Sequence, residues 1–301
     1  MRKTVLVALA VALAAGGSAA PVQAGSPGPD DVHPALRPGL VAFYDFDHPV
    51  PGDTALERDQ GRSGTEIELI NGAQRVADRA YPGGHKVLQT KQIGTGTTDD
   101  WKAGIWSASG VRTLRAFNAT EGSTVMGWFK RSMDGPAAGY NAIGLAGVLT
   151  GDSDGHGVRA LLELIDVNGE LKLVALGRRL DGGNSQTFAA TEDWRTLLPK
   201  DQWVHLTATF DFSAGTMALY RNGKPVPGSY TRDDDPWVVA GPGPHTTTAT
   251  DPRGIKIGGS FPWSGSADRN PCDCRMDALM FLDSSLTARD VANQYRFMTR
   301  G

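Results

Sequence analysis

Between residues 203 and 211 apolar and polar side chains alternate, with Val204, Leu206, Ala208 and Phe210 on one side and His205, Thr207 and Thr209 on the other. A period of two is that of a strand with one buried and one solvated face. Ser213-Ala214-Gly215 then turns the chain into a second strand, 216–221, which ends at Asn222-Gly223. Asn-Gly favours the left-handed backbone of a tight hairpin turn. The same reading predicts strands over 40–47, 86–89, 103–106, 124–130, 142–149, 158–165, 171–176, 186–190, 254–259 and 275–281, with Asn168-Gly169 marking a second tight hairpin. Trp128 and Trp203 fall within strands and read as core. One helix is predicted at the end of the chain. Thr287-Ala288-Arg289-Asp290 has capping-box spacing, with Asp in place of Glu, and Val291, Tyr295 and Met298 share the face that follows.

Many short strands joined by turns, in a chain with 38 glycines and 18 prolines, predict one all-β domain built as an antiparallel β-sandwich, with a short C-terminal helix. No repeat of fixed period interrupts that picture. Residues 193–200 read as a surface excursion and 233–252, rich in Asp, Pro, Gly and Thr, as a long loop of the kind that carries function on β scaffolds.

The first residues change the picture of where the protein works. Arg2 and Lys3, an apolar run from Val5 to Ala15 and the small-residue site before Gly25 are the parts of a secretory signal peptide over 1–24. Residues 25–38 read as a flexible lead-in and 39–299 as the single domain. The segment 1–24 holds two basic residues and no acidic one, so its removal takes the formal net charge from −3 to −5. A mildly acidic, exported chain is a poor nucleic-acid binder. No second apolar run is long enough to span a membrane, and the expectation is a secreted, soluble product. The pattern fixes no oligomeric state.

Several stretches resemble one family. Trp203-x-His205, a strand, Asp211, a glycine loop and Leu219-Tyr220-x-Asn222-Gly223-Lys224 resemble the central hairpins of the laminin-G-like jelly roll, within the concanavalin A-like lectin and glucanase superfamily. The opening strand at 40–47, the Asp59-Gln60-Gly61-Arg62-Ser63-Gly64 loop, the strand with Trp128 near its end, and the closing order of Asp277, Ser-Leu-Thr and a helix agree with this. The resemblance implies a jelly-roll fold. It also implies a rim site for a structural calcium ion, at Asp45 or Asp47, Asp59 and Asp277. Hard oxygen ligands suit that ion.

The resemblance leaves two functional readings open. One is a carbohydrate-binding or adhesion protein with a polysaccharide or glycan partner, the other a secreted glycoside hydrolase or polysaccharide lyase on the same fold. Loop tryptophans can stack on sugar rings, and Trp237 and Trp263, flanking the long loop, are the candidates for a binding rim; Trp101, Trp106 and Trp194 also lie in or near loops. No catalytic pair stands out. Glu163 and Asp166 fall on opposite faces of a regular strand, whereas Glu66 and Glu68 share a face that reads as solvated outer surface. Asp152-Ser153-Asp154-Gly155 begins like a calcium loop but lacks the distal Glu and reads as a turn. His205 reads as structural. Cys272-Asp273-Cys274 would close a strained ring if bridged, yet export favours the disulfide over free thiols, with intermolecular pairing as the rival. Asn118-Ala119-Thr120 is a glycosylation sequon.

Overall fold

The computed structural model describes residues 29–93, 101–118, 120–149, 158–178, 185–232, 251–259 and 270–300. In chain order it contains β1 (Leu40–Tyr44), β2 (Pro49–Val50), β3 (Asp53–Glu57), β4 (Ile67–Leu69), β5 (Gln74–Ala77), β6 (Lys86–Gln89), β7 (Ala103–Trp106), β8 (Gly122–Arg131), β9 (Ala142–Leu149) and β10 (Val158–Val167). There follow β11 (Glu170–Arg178), β12 (Ser185–Ala190), the short helix α1 (Trp194–Leu197), β13 (Val204–Asp211), β14 (Thr216–Arg221), β15 (Lys224–Val226), β16 (Gly228–Tyr230), β17 (Gly254–Ile257), β18 (Cys274–Leu282) and α2 (Ala288–Thr299).

The strands form two antiparallel sheets. Among the described residues one has eight strands in the order β15-β14-β13-β8-β18-β6-β5, with β1 also paired to β18, and the other has ten in the order β16-β12-β11-β10-β9-β17-β7-β4-β3-β2. Val204, Leu206, Ala208 and Phe210 of β13 point into the space between them, where they meet Leu162 and Leu164 of β10 and Ile255 and Ile257 of β17. This is the antiparallel β-sandwich that the alternating pattern predicts, of the jelly-roll type that the family resemblance implies. The tight turns are also as expected. Asn222 and Gly223 have φ of 49° and 73° between Arg221 and Lys224, which pair across the hairpin, and Asn168 and Gly169 have φ of 55° and 88° between β10 and β11.

The second face of β13 departs from its pattern. His205, Thr207 and Thr209 are buried too, because a second apolar layer covers the outer side of the eight-stranded sheet. Met126, Trp128, Tyr220 and Met280 from the strands pack there against Val291 and Met298 of α2 and against Val32 and Leu36. Full burial contributes roughly 1.5–3 kcal/mol for a side chain such as Val291 or Met298. The described part of the expected lead-in is therefore docked. Arg37 donates to the carbonyls of Val32 and Pro29, while the Gln294 side chain of α2 accepts from His33 N and donates to Asp31 O. Thr287 caps α2 by accepting from Asp290 N at 3.3 Å. The expected surface excursion near residue 194 is instead α1, whose Trp194 and Leu197 are buried. Among the described residues no helix is long and apolar enough to cross a membrane.

Candidate functional site

Two places concentrate chemistry. The first is built on a change of partner along β18. Its opening residues pair with β6, Arg275 with Gln89 and Met276 with Leu88, and its closing residues pair with β1, from Leu279 with Tyr44 to Leu282 with Leu40. Against β8 the register shifts between Asp277 and Met280, and Ala278 at the shift has φ of 47°. A non-glycine residue in that region costs on the order of 1–3 kcal/mol, and such strain persists where the surroundings enforce it. The irregularity sets Asp277 where β1 ends and the turn into β6 begins.

Three further carboxylates act on Asp277 there. The chain leaves β1 through Phe46, whose φ of 60° ends the strand, so Asp45 and Asp47 form a turn in which Asp47 N donates to Asp45 Oδ1 at 3.1 Å. Asp47 Oδ2 in turn accepts from His85 N at 3.1 Å, and Asp31 Oδ2 accepts from the Tyr81 hydroxyl at 3.0 Å. Between these groups runs Gly83-Gly84. A Cβ on Gly83 would lie 2.4 Å from Asp31 Oδ1, and one on Gly84 would lie 2.8 Å from Asp277 Oδ2. Only glycine permits so close an approach of backbone to carboxylate.

The electrostatics of this cluster call for a positive charge. Asp277 is fully buried; its Oδ1 accepts from Ala278 N at 2.7 Å, while its Oδ2 has no hydrogen-bond partner. Burial pushes its carboxyl well above the usual range, and the carboxylates of Asp45, Asp47 and Asp31 push it further. Burial likewise raises Asp31, helped by Asp45, Asp30 and Asp47. An orphaned, buried carboxylate oxygen among like charges is costly without a cation or a proton. Carboxylate oxygens beside backbone carbonyls are the donor set of a hard divalent ion such as calcium.

Asp45, Asp47 and Asp277 thus come together. Asp59 is otherwise engaged, accepting from the backbone N–H groups of Phe43, Gly61 and Thr65 and from the Ser63 hydroxyl. Asp31 completes the cluster from a stretch whose composition suggested no ordered role. A neighbouring trio, Asp45, His48 and Glu57, has ligand atoms within 4.8 Å of one another. Arg75 Nε holds Glu57 Oε2 at 2.8 Å, His48 N donates to Glu57 Oε1, and His48 Nδ1 lies 2.8 Å from Asp45 Oδ1, so Glu57 is held by an ion pair with Arg75 and His48 links it to Asp45.

The second place is a cleft of about 480 Å³ on the outer side of the ten-stranded sheet, lined by Glu66, Glu68, Trp101, Gly104, Trp106 and Thr113 among others. Ile67 is buried in the core, so Glu66 and Glu68 on either side of it face outward and are exposed. Glu68 pairs with Gly104 across β4 and β7. Because Gly104 has no side chain, the six-membered ring of Trp101 lies on its backbone; a Cβ there would sit 2.4 Å from Trp101 Cζ3. Trp101 and Trp106 are both half-buried. The bland reading of Glu66 and Glu68 as solvated surface omits these rings. What brings them together is the register of β4 on β7.

Trp237, Trp263 and Asp152-Ser153-Asp154-Gly155 lie outside the described residues. Trp194 offers no ring face, since Arg131 and Arg195 cover it at 4.7 and 4.6 Å. Glu163 is buried 3.6 Å from Lys256 Nζ, whereas Asp166 is exposed and caps the β10–β11 turn by accepting from Gly169 N. His205 is buried against Trp128 and Tyr295. Cys272 and Cys274 are adjacent and buried, with Cα atoms 5.4 Å apart. Asn118 and Thr120 of the sequon are buried, and the Thr120 hydroxyl contacts Gly122 O.

Two packed antiparallel sheets are the architecture of double-sheet jelly rolls, which many unrelated functions share. A laminin-G family model, described as the concanavalin A-like lectin/glucanases superfamily, matches residues 107–292, more than half of the chain, and the chain belongs to this family. No curated protein sequence matches it. Among solved structures it is similar to the binding domain of botulinum neurotoxin DC in complex with SialylT, at 10% identity and a TM-score of 0.54 over 88% of this chain and 52% of that one. It is similar to the binding domain of paraclostridial mosquitocidal protein 1 (13%, 0.51, 86% and 52%) and to Trypanosoma rangeli sialidase in complex with 2,3-difluorosialic acid (16%, 0.50, 86% and 33%). The chain thus spans about half of the toxin chains and a third of the sialidase, and at these identities the likeness is one of fold.

Proposed function

We propose that the chain is a secreted glycan-binding protein whose ligand stacks in the cleft of Trp101 and Trp106, with a calcium ion holding the Asp31, Asp45, Asp47 and Asp277 cluster together. The observation that carries the sugar reading is the Trp101 ring lying on Gly104, half-buried and beside Glu68. Sugar rings present apolar C–H faces that pack on indole, while polar groups at the edge of such a cleft fix orientation. Membership of a superfamily of lectins and glucanases, and a toxin binding domain of similar fold solved with SialylT, agree with a glycan partner. Calcium is a structural ion in this reading, supported by the unpartnered Asp277 Oδ2 and the Gly83-Gly84 cradle.

Isothermal titration of the purified protein against soluble oligosaccharides of several polysaccharide classes tests the sugar site. Trp101→Ala is expected to weaken binding at least tenfold with the fold retained, and unchanged affinity in that variant would overturn the assignment of the cleft. Products with new reducing or unsaturated ends after incubation would show an enzyme instead. For the ion, calcium titration is expected to give saturable binding that Asp277→Asn abolishes; identical affinity in the variant would remove the cluster as its site.

A further inference from the structure

Resting on the reading of the cleft as a sugar site, we infer that its ligand is an amino sugar with a free ammonium group, which Glu66 and Glu68 select over neutral and acidic sugars. The two carboxylates stand at alternate positions on either side of the buried Ile67 and are directed to the same side of the sheet. Among the described residues no lysine or arginine lines the cleft. Two lysines fall on this side of the sheet, and both are buried: Lys256, opposite Gly104, lies 3.6 Å from Glu163, and Lys102, two residues before Gly104, donates to Asn71 O at 3.1 Å. Two half-exposed indoles add their negative ring faces, which attract an ammonium group as well as sugar C–H bonds. Aromatic rings with carboxylates and no cation make a site for a cationic ligand with an apolar body. A uronate or sialate placed there would meet two like charges at short range, and a neutral sugar would leave both carboxylates without a partner.

The test compares a chitosan oligosaccharide, its fully N-acetylated counterpart and an oligogalacturonate of equal length by isothermal titration, at mildly acidic pH where the free amines are protonated. The amine-bearing oligosaccharide is expected to bind at least tenfold tighter than the acetylated one, about 1.4 kcal/mol, and the acidic one most weakly. That advantage is expected to vanish in Glu66→Gln/Glu68→Gln and to shrink with added salt, while Trp101→Ala weakens both the charged and the acetylated ligand. Melting curves of the variants check that the fold is kept. Equal affinity for the free-amine and acetylated oligosaccharides, or an advantage that survives the double substitution, would overturn the charge selection and leave the sugar site standing. Unchanged affinity for every glycan in Trp101→Ala would overturn both.

Discussion

His205 gives the most demanding test of the packing. Its ring is buried beneath α2, 5.3 Å from Trp128 and 6.0 Å from Tyr295, with no hydrogen-bond partner on either nitrogen. Burial lowers its pKa from 6.5 to about 3. Since the folded value lies below the unfolded one, the unfolded chain binds the extra proton between them, and stability rises with pH across that window. The contribution is fully present above about 6.5 and lost on the way down to about 3. At about 1.4 kcal/mol per unit, acidification from neutral to about pH 4.5 removes on the order of 3 kcal/mol through this one group, and more by pH 3. His205→Leu keeps an apolar side chain of similar size and cannot titrate. Urea unfolding of both proteins at pH 7 and near pH 4.5 isolates the effect, because distant groups contribute equally to each and cancel. The wild type is expected to lose roughly 2–3 kcal/mol more than the variant between the two conditions. Equal losses would refute the reasoning, and would mean that the ring reaches water or a partner beneath the helix.

Two further outcomes follow from close contacts. Gly84→Ala forces a methyl to within 2.8 Å of Asp277 Oδ2 and 3.2 Å of Tyr81, and is expected to lower thermal stability by roughly 1–3 kcal/mol and to weaken calcium binding, whereas Gly52→Ala, with open space around it but φ of 88°, is expected to leave calcium affinity unchanged. We propose that Cys272 and Cys274 are bridged to each other; intact mass under non-reducing conditions is expected to be two hydrogens below that of the reduced chain, and a thiol titration in denaturant that finds two free thiols would refute the bridge.

Much of the sandwich was legible because strands that bury one face announce it. The alternation at β13 assigned Val204 to Phe210 to the core correctly, and Asn222-Gly223 marked its turn. The same alternation misled for His205, Thr207 and Thr209, since the residues that cover them, Val32, Leu36, Val291 and Met298, lie far away in sequence and only meet on the folded sheet. Asp31 was hidden for the same reason: a Pro- and Asp-rich stretch with few apolar residues looks unable to dock, yet Val32 and Leu36 suffice when a helix face waits for them. Asp45, Asp47 and Asp277 could be named from their positions in a resembling pattern. Asp59 could not be told apart from them, because an acid that bonds three groups of its own loop and one of β1 reads no differently from one free to bind an ion. The tryptophan cleft depends on Glu68 lying opposite Gly104, which is a matter of register between strands over thirty residues apart.

The position of β18 sets the order in which this protein can become itself. It follows every other described strand in sequence, yet it lies inside the eight-stranded sheet, with β8 on one side and β6 and β1 on the other. During synthesis β1 and β6 therefore emerge long before the strand they pair with, and a nascent chain that stops before residue 274 holds β8 with β13–β15, the β5–β6 pair and β1 with no strand to join them. Closing that distance gives the fold a high contact order and a slow final step. The native sheet, and with it the carboxylate cluster around Asp277, comes into being only once residues 274–282 have joined the strands made before them.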